Sequence, residues 1–307
     1  MGGEEAQAPH SAAFLQGAVR DFWWNLDQIE LFARRVGLDD VRSVLDVGSG
    51  VGHWGRLLAG VLAPDATLVG IDTEPRWVEE ATARAADAGL GDRFSYLLAA
   101  AEEIPFEDES FDLVTCQTLL MHVADPRGVI DEMLRVTKRG GLVVAAEPNN
   151  RVLTLMDTSV SAGASLEERI DVVRFYVTCE DGKIALGRGN NSVGDLVPGY
   201  FNDAGLEEIQ ACQSDKVTLM VPPYDSDDQQ AVKEAYITDA EAGGGWGWTK
   251  EEARRYFKAG GGDPDEFDGM WERRLEEARR LAAAVENGTY NAAGGDVLYL
   301  ISARRPA

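Results

Sequence analysis

A glycine-rich turn carries the strongest chemical signal in the sequence. The stretch Asp46-Val47-Gly48-Ser49-Gly50-Val51-Gly52 follows an apolar run and precedes a helical pattern. Glycines permit a tight turn and a close approach of the backbone to a ligand, and the first N–H groups of a helix attract a negative group. The turn therefore indicates a nucleotide site. Alone it is a weak signal, and a purely structural strand-to-helix turn is the alternative.

An acidic residue after the next strand supports a nucleotide ligand. Val69-Gly70-Ile71-Asp72 ends in a carboxylate about twenty residues beyond the turn, where nucleotide-binding folds place an acceptor for ribose hydroxyls. The alternative is that Asp72 caps the helix that follows Pro75, a role that Thr73 could fill equally well. We therefore expect Asp72 to bind the ribose.

With two further segments, these residues resemble the class I S-adenosylmethionine (SAM)-dependent methyltransferases, specifically the group with a small-molecule methyltransferase domain. The further segments are Ala101-Glu102-Glu103-Ile104-Pro105-Phe106 followed by Ser110-Phe111-Asp112-Leu113-Val114, and Leu134-Arg135-Val136-Thr137-Lys138-Arg139-Gly140-Gly141. The resemblance covers residues 40–150. A nicotinamide-dependent dehydrogenase is disfavoured, because its last two glycines are spaced Gly-x-x-Gly where this turn has Gly50-Val51-Gly52.

The resemblance implies SAM as the cofactor, S-adenosylhomocysteine (SAH) as its product, and a set of contacts to both. Asp46 and the turn backbone around Gly48, Ser49 and Gly50 would hold the methionine portion, while Asp72 would hold the ribose. The remaining contacts would be Thr73 beside the adenine, Ala101 and Glu102 at the adenine edge, and Gln117 near the amino acid end or the methyl group.

One residue departs from the family pattern at the adenine end. Many members carry an aspartate that accepts a hydrogen bond from the adenine amino group, and this sequence has Ala100 there. Adenine recognition would then depend on backbone groups at Ala101 or on the Glu102 side chain.

Two residues are candidates for catalysis. Methyl transfer depends mainly on holding the acceptor against the methyl group in a site closed to water, and a general base is optional. His122 lies in the loop after the fourth strand, where it would contact substrate, transfer a proton or form a structural hydrogen bond. Glu147 ends the fifth strand. A carboxylate at this position would either face the substrate or hold the adjacent loop in place, and both roles are equally compatible with the sequence.

Four residues are candidates for substrate contact. Trp23 and Trp24 of the N-terminal helix could close over the site or simply pack against the core. Asn149 stands beside the end of the fifth strand. Arg188 falls in a segment where family members place substrate-covering elements, and an arginine there would suit an acceptor that bears a carboxylate.

Strand-like and helix-like segments alternate around these residues. The predicted strands are 43–47, 67–71, 94–98, 111–115 and 141–146, and the predicted helices between them are 54–61, 76–88 and 126–136. Short apolar strands joined by helices predict a doubly wound, Rossmann-like α/β sheet that is mostly parallel. A last strand at 297–302 is expected to return antiparallel after a long helical insertion or lid.

These elements predict four regions. Residues 1–12 form a flexible leader, and residues 13–150 form the SAM-binding core with an N-terminal helix over 13–36. Residues 151–296 form a substrate-covering region and helical insertion, which contains a strand region over 207–220. Residues 297–307 form the final strand and tail.

Composition limits the partners. A net charge of −24 over 307 residues disfavours nucleic acid and membrane surfaces, so a small-molecule acceptor is expected. Three separated cysteines without metal-ligand spacing, and no signal-peptide pattern, predict a cytoplasmic protein without a metal. We expect it to be a monomer or a homodimer. Methyl transfer to an N, O, S or C atom is the leading function. A SAM-binding sensor or partner subunit without catalysis is the alternative, and protein or RNA methylation is less favoured.

Overall fold

The computed structural model describes residues 18–243, 247–294 and 297–307. The predicted leader 1–12 and the first residues of the predicted N-terminal helix lie outside these ranges. No helix in the described ranges combines the length and the apolar character that crossing a membrane requires.

A seven-stranded sheet forms the centre of the fold. Its strands are β1 Ser43–Val47, β2 Thr67–Asp72, β3 Phe94–Leu98, β4 Phe111–Gln117, β5 Thr137–Pro148, β6 Glu207–Gln213 and β9 Leu298–Arg304. The order is β3-β2-β1-β4-β5-β9-β6; β1 to β5 run parallel, and β9 runs antiparallel to both β5 and β6. The predicted mostly parallel sheet with an antiparallel C-terminal strand is confirmed.

Helices cover both faces of this sheet. They are α1 Leu26–Val36, α2 His53–Leu58, α3 Pro75–Asp87, α4 Pro126–Val136 and α6 Val197–Asp203. Successive strand residues alternate between two cores, because side chains of a strand point to opposite faces. Val44 packs in the core that holds Phe32 and Trp54, whereas Leu45 packs in the core that holds Met133 and Phe201.

The remaining helices lie within residues 151–296, where the insertion is predicted. They are α5 Leu166–Ala185, α7 Asp227–Ala242, α8 Lys250–Ala259 and α9 Pro264–Glu286. Aromatic residues of α5, α8 and α9 form a separate core, with Phe175 stacked on Phe257 and Phe267 on Trp271. The aromatic residues of this region are therefore core residues of the insertion; Trp246 lies outside the described ranges.

The predicted N-terminal helix over 13–36 is confirmed from Leu26 to Val36 and wrong before Leu26 in its described part. A 3₁₀ turn covers Ala18–Phe22, and α1 begins only at Leu26. Trp23 and Trp24 lie between the two and are both buried. Adjacent residues of one continuous helix point about 100° apart, so a break allows both indole rings to face the core.

Two predicted strands differ from the observed ones. The strand predicted over 141–146 extends over Thr137–Pro148. At its start Thr137 pairs with Phe111 of β4, and towards its end β9 pairs with Leu142 to Pro148. The strand region predicted over 207–220 is two strands. β6 joins the main sheet, whereas β7 Thr218–Met220 pairs with β8 Ala292–Gly294 in a separate two-stranded sheet.

Candidate cofactor and active site

A row of residues crosses the sheet beneath the glycine turn. Asp46 of β1 is paired with Gly70 of β2 on one side and Thr115 of β4 on the other, and Gly70 is paired with Tyr96 of β3. Residues paired in register share one face of a sheet. A Cβ at Gly70 would lie 2.4 Å from Tyr96 Cδ1 and 2.8 Å from Ser49 Oγ, so the tyrosine ring and the serine hydroxyl both lie against this glycine.

The turn is held to the neighbouring strand by backbone groups. Gly48, Gly50 and Gly52 adopt φ values of 69°, 51° and 71°, a region that glycine enters without strain. The Ser49 N–H donates to the Ile71 carbonyl at 2.9 Å. The turn therefore lies over the carboxyl ends of β1 and β2, where open α/β sheets bind ligands.

Asp46 is a buried carboxylate whose two oxygens have no hydrogen-bond partner among the described residues. Burial raises the pKa of Asp46 to about 8, although the nearby Gly55 backbone N–H acts in the opposite direction. An unpaired buried carboxylate is costly and is best compensated by a bound cation or hydrogen-bond donor. The ammonium group of a methionine moiety is such a group.

Asp72 has a double role at the end of β2. Its Oδ2 accepts a hydrogen bond from the Gly50 N–H and its Oδ1 accepts one from the Glu74 N–H, each at 2.9 Å. The carboxylate thus joins the glycine turn to the start of α3. Each oxygen keeps a second lone pair, and the residue is only half-buried, so it retains the capacity to accept ribose hydroxyls.

The other cofactor candidates lie around this edge of the sheet, and their side chains differ in solvent exposure. Ala101 is buried, whereas Thr73 and Glu102 are exposed. Gln117 is buried at the end of β4, and its Nε2 has no hydrogen-bond partner among the described residues. The structure brings Gln117 to the same face as Asp46, because it lies two residues beyond Thr115.

The loop after β4 is fixed by Glu147. This fully buried carboxylate accepts hydrogen bonds from the Leu119, Leu120 and Met121 N–H groups at 2.9, 2.8 and 3.3 Å. Burial raises the pKa of Glu147 to about 7, against the effect of these three donors. Both oxygens of Glu147 accept hydrogen bonds from the loop backbone. This favours a structural role of Glu147 in the loop over contact with the substrate.

The loop is also held from the insertion. The buried Lys183 of α5 donates to the Met121 carbonyl at 3.3 Å and to the Asn191 side chain. The predicted catalytic candidate His122 follows Met121 and is half-buried. Its backbone N–H donates to the Leu119 carbonyl at 2.8 Å. A Cβ at Gly189 would lie 2.3 Å from the Met121 carbonyl oxygen, so the segment after α5 packs directly on this loop.

The substrate candidates have varied surroundings. Trp23 and Trp24 belong to the core cluster, and the Trp24 ring lies 5.8 Å from that of Trp54, which supports the packing alternative. Asn149 accepts from the Arg151 N–H at the start of a 3₁₀ turn and donates to Asp195 at 2.6 Å. Arg188 is half-buried near Tyr256 of α8.

Two polar residues of this site were not identified from the sequence. Tyr96 lies against Gly70 and Gly52, and a Cβ at Gly52 would lie 2.6 Å from its hydroxyl. Arg20, from the 3₁₀ turn before α1, is buried and donates to Thr118 Oγ1 at 2.6 Å. The alternation within strand 94–98 could have placed Tyr96 on the buried face, but no signal in the sequence distinguishes Arg20 from other arginines.

Known proteins are similar in sequence to part of this chain. A family model described as "Methyltransferase domain" matches residues 45–145. The ubiquinone/menaquinone biosynthesis C-methyltransferase UbiE of Geobacter sp. (strain M21) is 34% identical over 114 residues, 37% of this chain and 48% of that protein. The demethylmenaquinone methyltransferase of Geobacillus kaustophilus is 32% identical over 136 residues, 44% of this chain and 58% of that protein. The match thus spans about half the length of these relatives.

Solved structures with low sequence identity share the fold. The YcgJ protein of Bacillus subtilis aligns with a TM-score of 0.51 at 18% identity, covering 91% of this chain and 99% of that protein. A candidate sarcosine dimethylglycine methyltransferase from Galdieria sulphuraria aligns with a TM-score of 0.52 at 17% identity, covering 92% and 85%. With the glycine turn, Asp46 and Asp72 in one site, the sequence match leads to one conclusion: residues 45–145 of this chain are similar to a methyltransferase domain, and the solved structures share the fold of the chain.

Proposed function

We propose that this chain transfers the methyl group of SAM to a small-molecule acceptor. The observation that carries the proposal is the buried, unpaired Asp46 carboxylate beneath a glycine turn that Asp72 ties to β2. The match of residues 45–145 to a methyltransferase domain supports it, as do relatives named as a demethylmenaquinone methyltransferase and a sterol 24-C-methyltransferase. The acceptor atom, N, O, S or C, stays open.

The residues present fit SAM as a ligand. Asp46 would bind the ammonium of the methionine portion, and the turn from Gly48 to Gly50 would approach it with its backbone. Asp72 would accept the ribose hydroxyls, and Gln117 would offer its unpaired amide to the amino acid end. Thr73, Ala101 and Glu102 remain predicted contacts to the adenine.

When bound, SAM supplies a methyl group on a positively charged sulfur, which any sufficiently close nucleophile can attack. The contribution of the protein is then position and exclusion of water. Leu119 contributes to both, because its side chain lies over the turn: a Cβ at Gly48 would be 2.6 Å from Leu119 Cδ1. Glu147 fixes the backbone of Leu119, so we assign Glu147 as a positioning residue.

His122 is the proposed group for proton transfer when the acceptor is a hydroxyl. A hydroxyl acceptor benefits from a base, whereas an amine or thiolate needs none. The segment after α5 packs on the His122 backbone, so we propose that residues 151–296 cover the acceptor, with Arg188 and Asn149 as candidate contacts. The acidic composition favours a small molecule over RNA.

Calorimetry with SAM and SAH, followed by a methyl-release assay over a panel of small metabolites, tests the proposal. We expect binding of both compounds and turnover of at least one acceptor. Binding without turnover on any acceptor would favour a SAM sensor or partner subunit. If neither compound binds, the site is not a SAM site.

A further inference from the structure

Lys183 is a lysine that the fold buries inside the insertion. It lies near the end of α5, and only 6% of its surface is exposed. Its Nζ donates to the Met121 carbonyl oxygen at 3.3 Å and to the Asn191 side chain. Burial disfavours the ammonium and lowers the pKa of Lys183 from 10.5 to about 8. The protein therefore keeps a charge here at a cost, and its two partners indicate what the charge does.

The acidic neighbour of Lys183 on α5 does not depend on it. Glu180 lies three residues earlier on the helix and is fully buried. Its Oε1 accepts a hydrogen bond from Ser192 Oγ at 2.8 Å, and its Oε2 forms an ion pair with Arg151. Glu180 thus keeps both partners when Lys183 is removed, although its charge favours the protonated lysine. Neutralising Glu180 is therefore not what requires Lys183.

The other elements packed around Lys183 present neutral acceptors to it. Asn191, on the segment after α5, offers its amide oxygen, and the Tyr176 hydroxyl is hydrogen-bonded to Asn191. Burial raises the pKa of Tyr176 above its ordinary value, so this hydroxyl stays neutral where Lys183 titrates. The loop after β4 offers the Met121 carbonyl, and the titratable His122 follows it in the chain.

Two buried charges hold the loop after β4 by different backbone groups. Glu147 accepts three consecutive N–H groups, the last of which belongs to Met121, whereas Lys183 donates to the carbonyl of the same residue. The start of this loop lies over the cofactor turn, because a Cβ at Gly48 would be 2.6 Å from Leu119 Cδ1. The Lys183 hydrogen bond therefore connects the insertion to the cofactor turn through a short stretch of backbone.

We propose that Lys183 is a positioning residue for methyl transfer, which holds the loop after β4 where Leu119 covers the glycine turn and His122 reaches the acceptor. This rests on the proposed function. Lys183 acts through the loop backbone rather than by contact with the cofactor or the acceptor. Its role requires the ammonium, because a neutral amine is a weaker hydrogen-bond donor. The loop is then held best where Glu147 is ionised and Lys183 is protonated.

Hydrogen exchange of the loop amides tests this role without any ligand. In Lys183→Met at neutral pH, we expect the protection of the amides of residues 119–121 to fall about 10-fold, as for the loss of a hydrogen bond to a charged group. After correction for intrinsic exchange, wild-type protection should fall as pH rises through about 8, where Lys183 loses its proton. Lys183→Arg should keep most of the protection and lose this pH dependence, because arginine stays charged.

A comparison of kcat with KM separates positioning from a purely structural role. With an acceptor that wild type methylates, the kcat of Lys183→Met should fall about 10-fold, and the KM for SAM should change less than about twofold, because the residues proposed to bind SAM are unchanged. Unfolding by urea should change little, since a hydrophobic residue of similar size often replaces a buried charge without loss of stability. Lys258→Met, at an exposed position of α8, is the control.

Unchanged loop protection in Lys183→Met would overturn the role of Lys183. An equal fall of protection in the loop and in the centre of β4 would also overturn it, because the lysine would then stabilise the fold as a whole. Wild-type protection that stays constant through pH 8, with equal losses in Lys183→Arg and Lys183→Met, would exclude a role of the charge. A wild-type protein that binds neither SAM nor SAH would overturn the proposed function, and with it this role in methyl transfer, even if the loop amides responded as expected. The two failures are therefore distinguishable.

Discussion

Asp72 accepts the backbone N–H of Gly50 at 2.9 Å, so the side chain expected to bind ribose also fixes the turn expected to bind methionine. The two halves of the cofactor site are therefore coupled through one carboxylate. A substitution at this position changes both the ligand contact and the shape of the turn.

We predict that Asp72→Ala weakens SAH binding by about 1.5–3 kcal/mol, the range for a hydrogen bond to a charged group. Calorimetry with SAH and its 2′-deoxy analogue separates the two roles. Wild type should prefer SAH, whereas Asp72→Ala should bind both equally. The exposed Asp92→Ala is the control. If the variant still prefers SAH as strongly as wild type does, Asp72 does not contact that hydroxyl.

Asp46→Asn should stabilise the ligand-free protein while weakening SAH binding. The folded-state pKa of about 8 lies above the ordinary value of 3.8, so the folded protein binds the proton more tightly than the unfolded chain. The free energy of unfolding should therefore fall as pH rises from about 3.8 to 8. Asparagine removes this dependence, and we expect a gain of about 1–3 kcal/mol at pH 8 from relief of an unpaired buried charge.

Urea unfolding at pH 5 and pH 8 measures this effect, with the exposed Asp40→Asn as the control. Equal stability of Asp46→Asn and wild type at pH 8 would show that the Asp46 carboxylate is compensated within the protein. The role that we assign to it would then be wrong.

Gly70→Ala should damage both folding and ligand binding. The added methyl would lie 2.4 Å from the Tyr96 ring and 2.8 Å from Ser49 Oγ, so the ring or the turn must move. Overpacking of this kind costs about 1–3 kcal/mol, which thermal unfolding would detect. Gly199→Ala is the matched control, because a Cβ at this position in α6 meets nothing within 4 Å. There we expect a small stabilisation, since alanine favours a helix. Comparable losses in both variants would contradict the close contact at Gly70.

Glu147→Gln should loosen the loop after β4. The amide keeps one acceptor for the Leu119 and Leu120 N–H groups but turns an NH₂ donor towards the Met121 N–H. We expect a loss of about 1–3 kcal/mol in the free energy of unfolding by urea. The exposed Glu79→Gln of α3 should show none. An unchanged unfolding energy with turnover abolished would instead identify Glu147 as a catalytic residue.

The sequence predicted the parallel core well because each signal there is local. The glycine turn, the strand that ends at Asp72 and the helix over 126–136 are all recognisable within a dozen residues. The split between Ala18–Phe22 and α1 was missed, since amphipathic spacing continues across Trp23 and Trp24. The break allows both buried rings to face the core, which is a tertiary requirement that local spacing does not show.

The polar part of the site was predictable only in part. Asp46 and Asp72 follow recognisable strands, but the position of Tyr96 depends on strand register, and that of Arg20 on a hydrogen bond that spans 98 residues. Glu147 was placed correctly at the end of its strand. Its partners, three consecutive backbone N–H groups, belong to a loop whose path the sequence does not encode locally.

The position of β9 has a consequence for the order of folding. β9 lies between β5 and β6, yet the whole helical insertion separates it from β5 along the chain. During synthesis β5 and β6 therefore have no neighbour on their facing edges until β9 has emerged from the ribosome. Closing such a distant pairing is slow, and unpaired edges invite association with other chains. Nascent chains that stall before β9 is complete should depend on chaperones to stay monomeric.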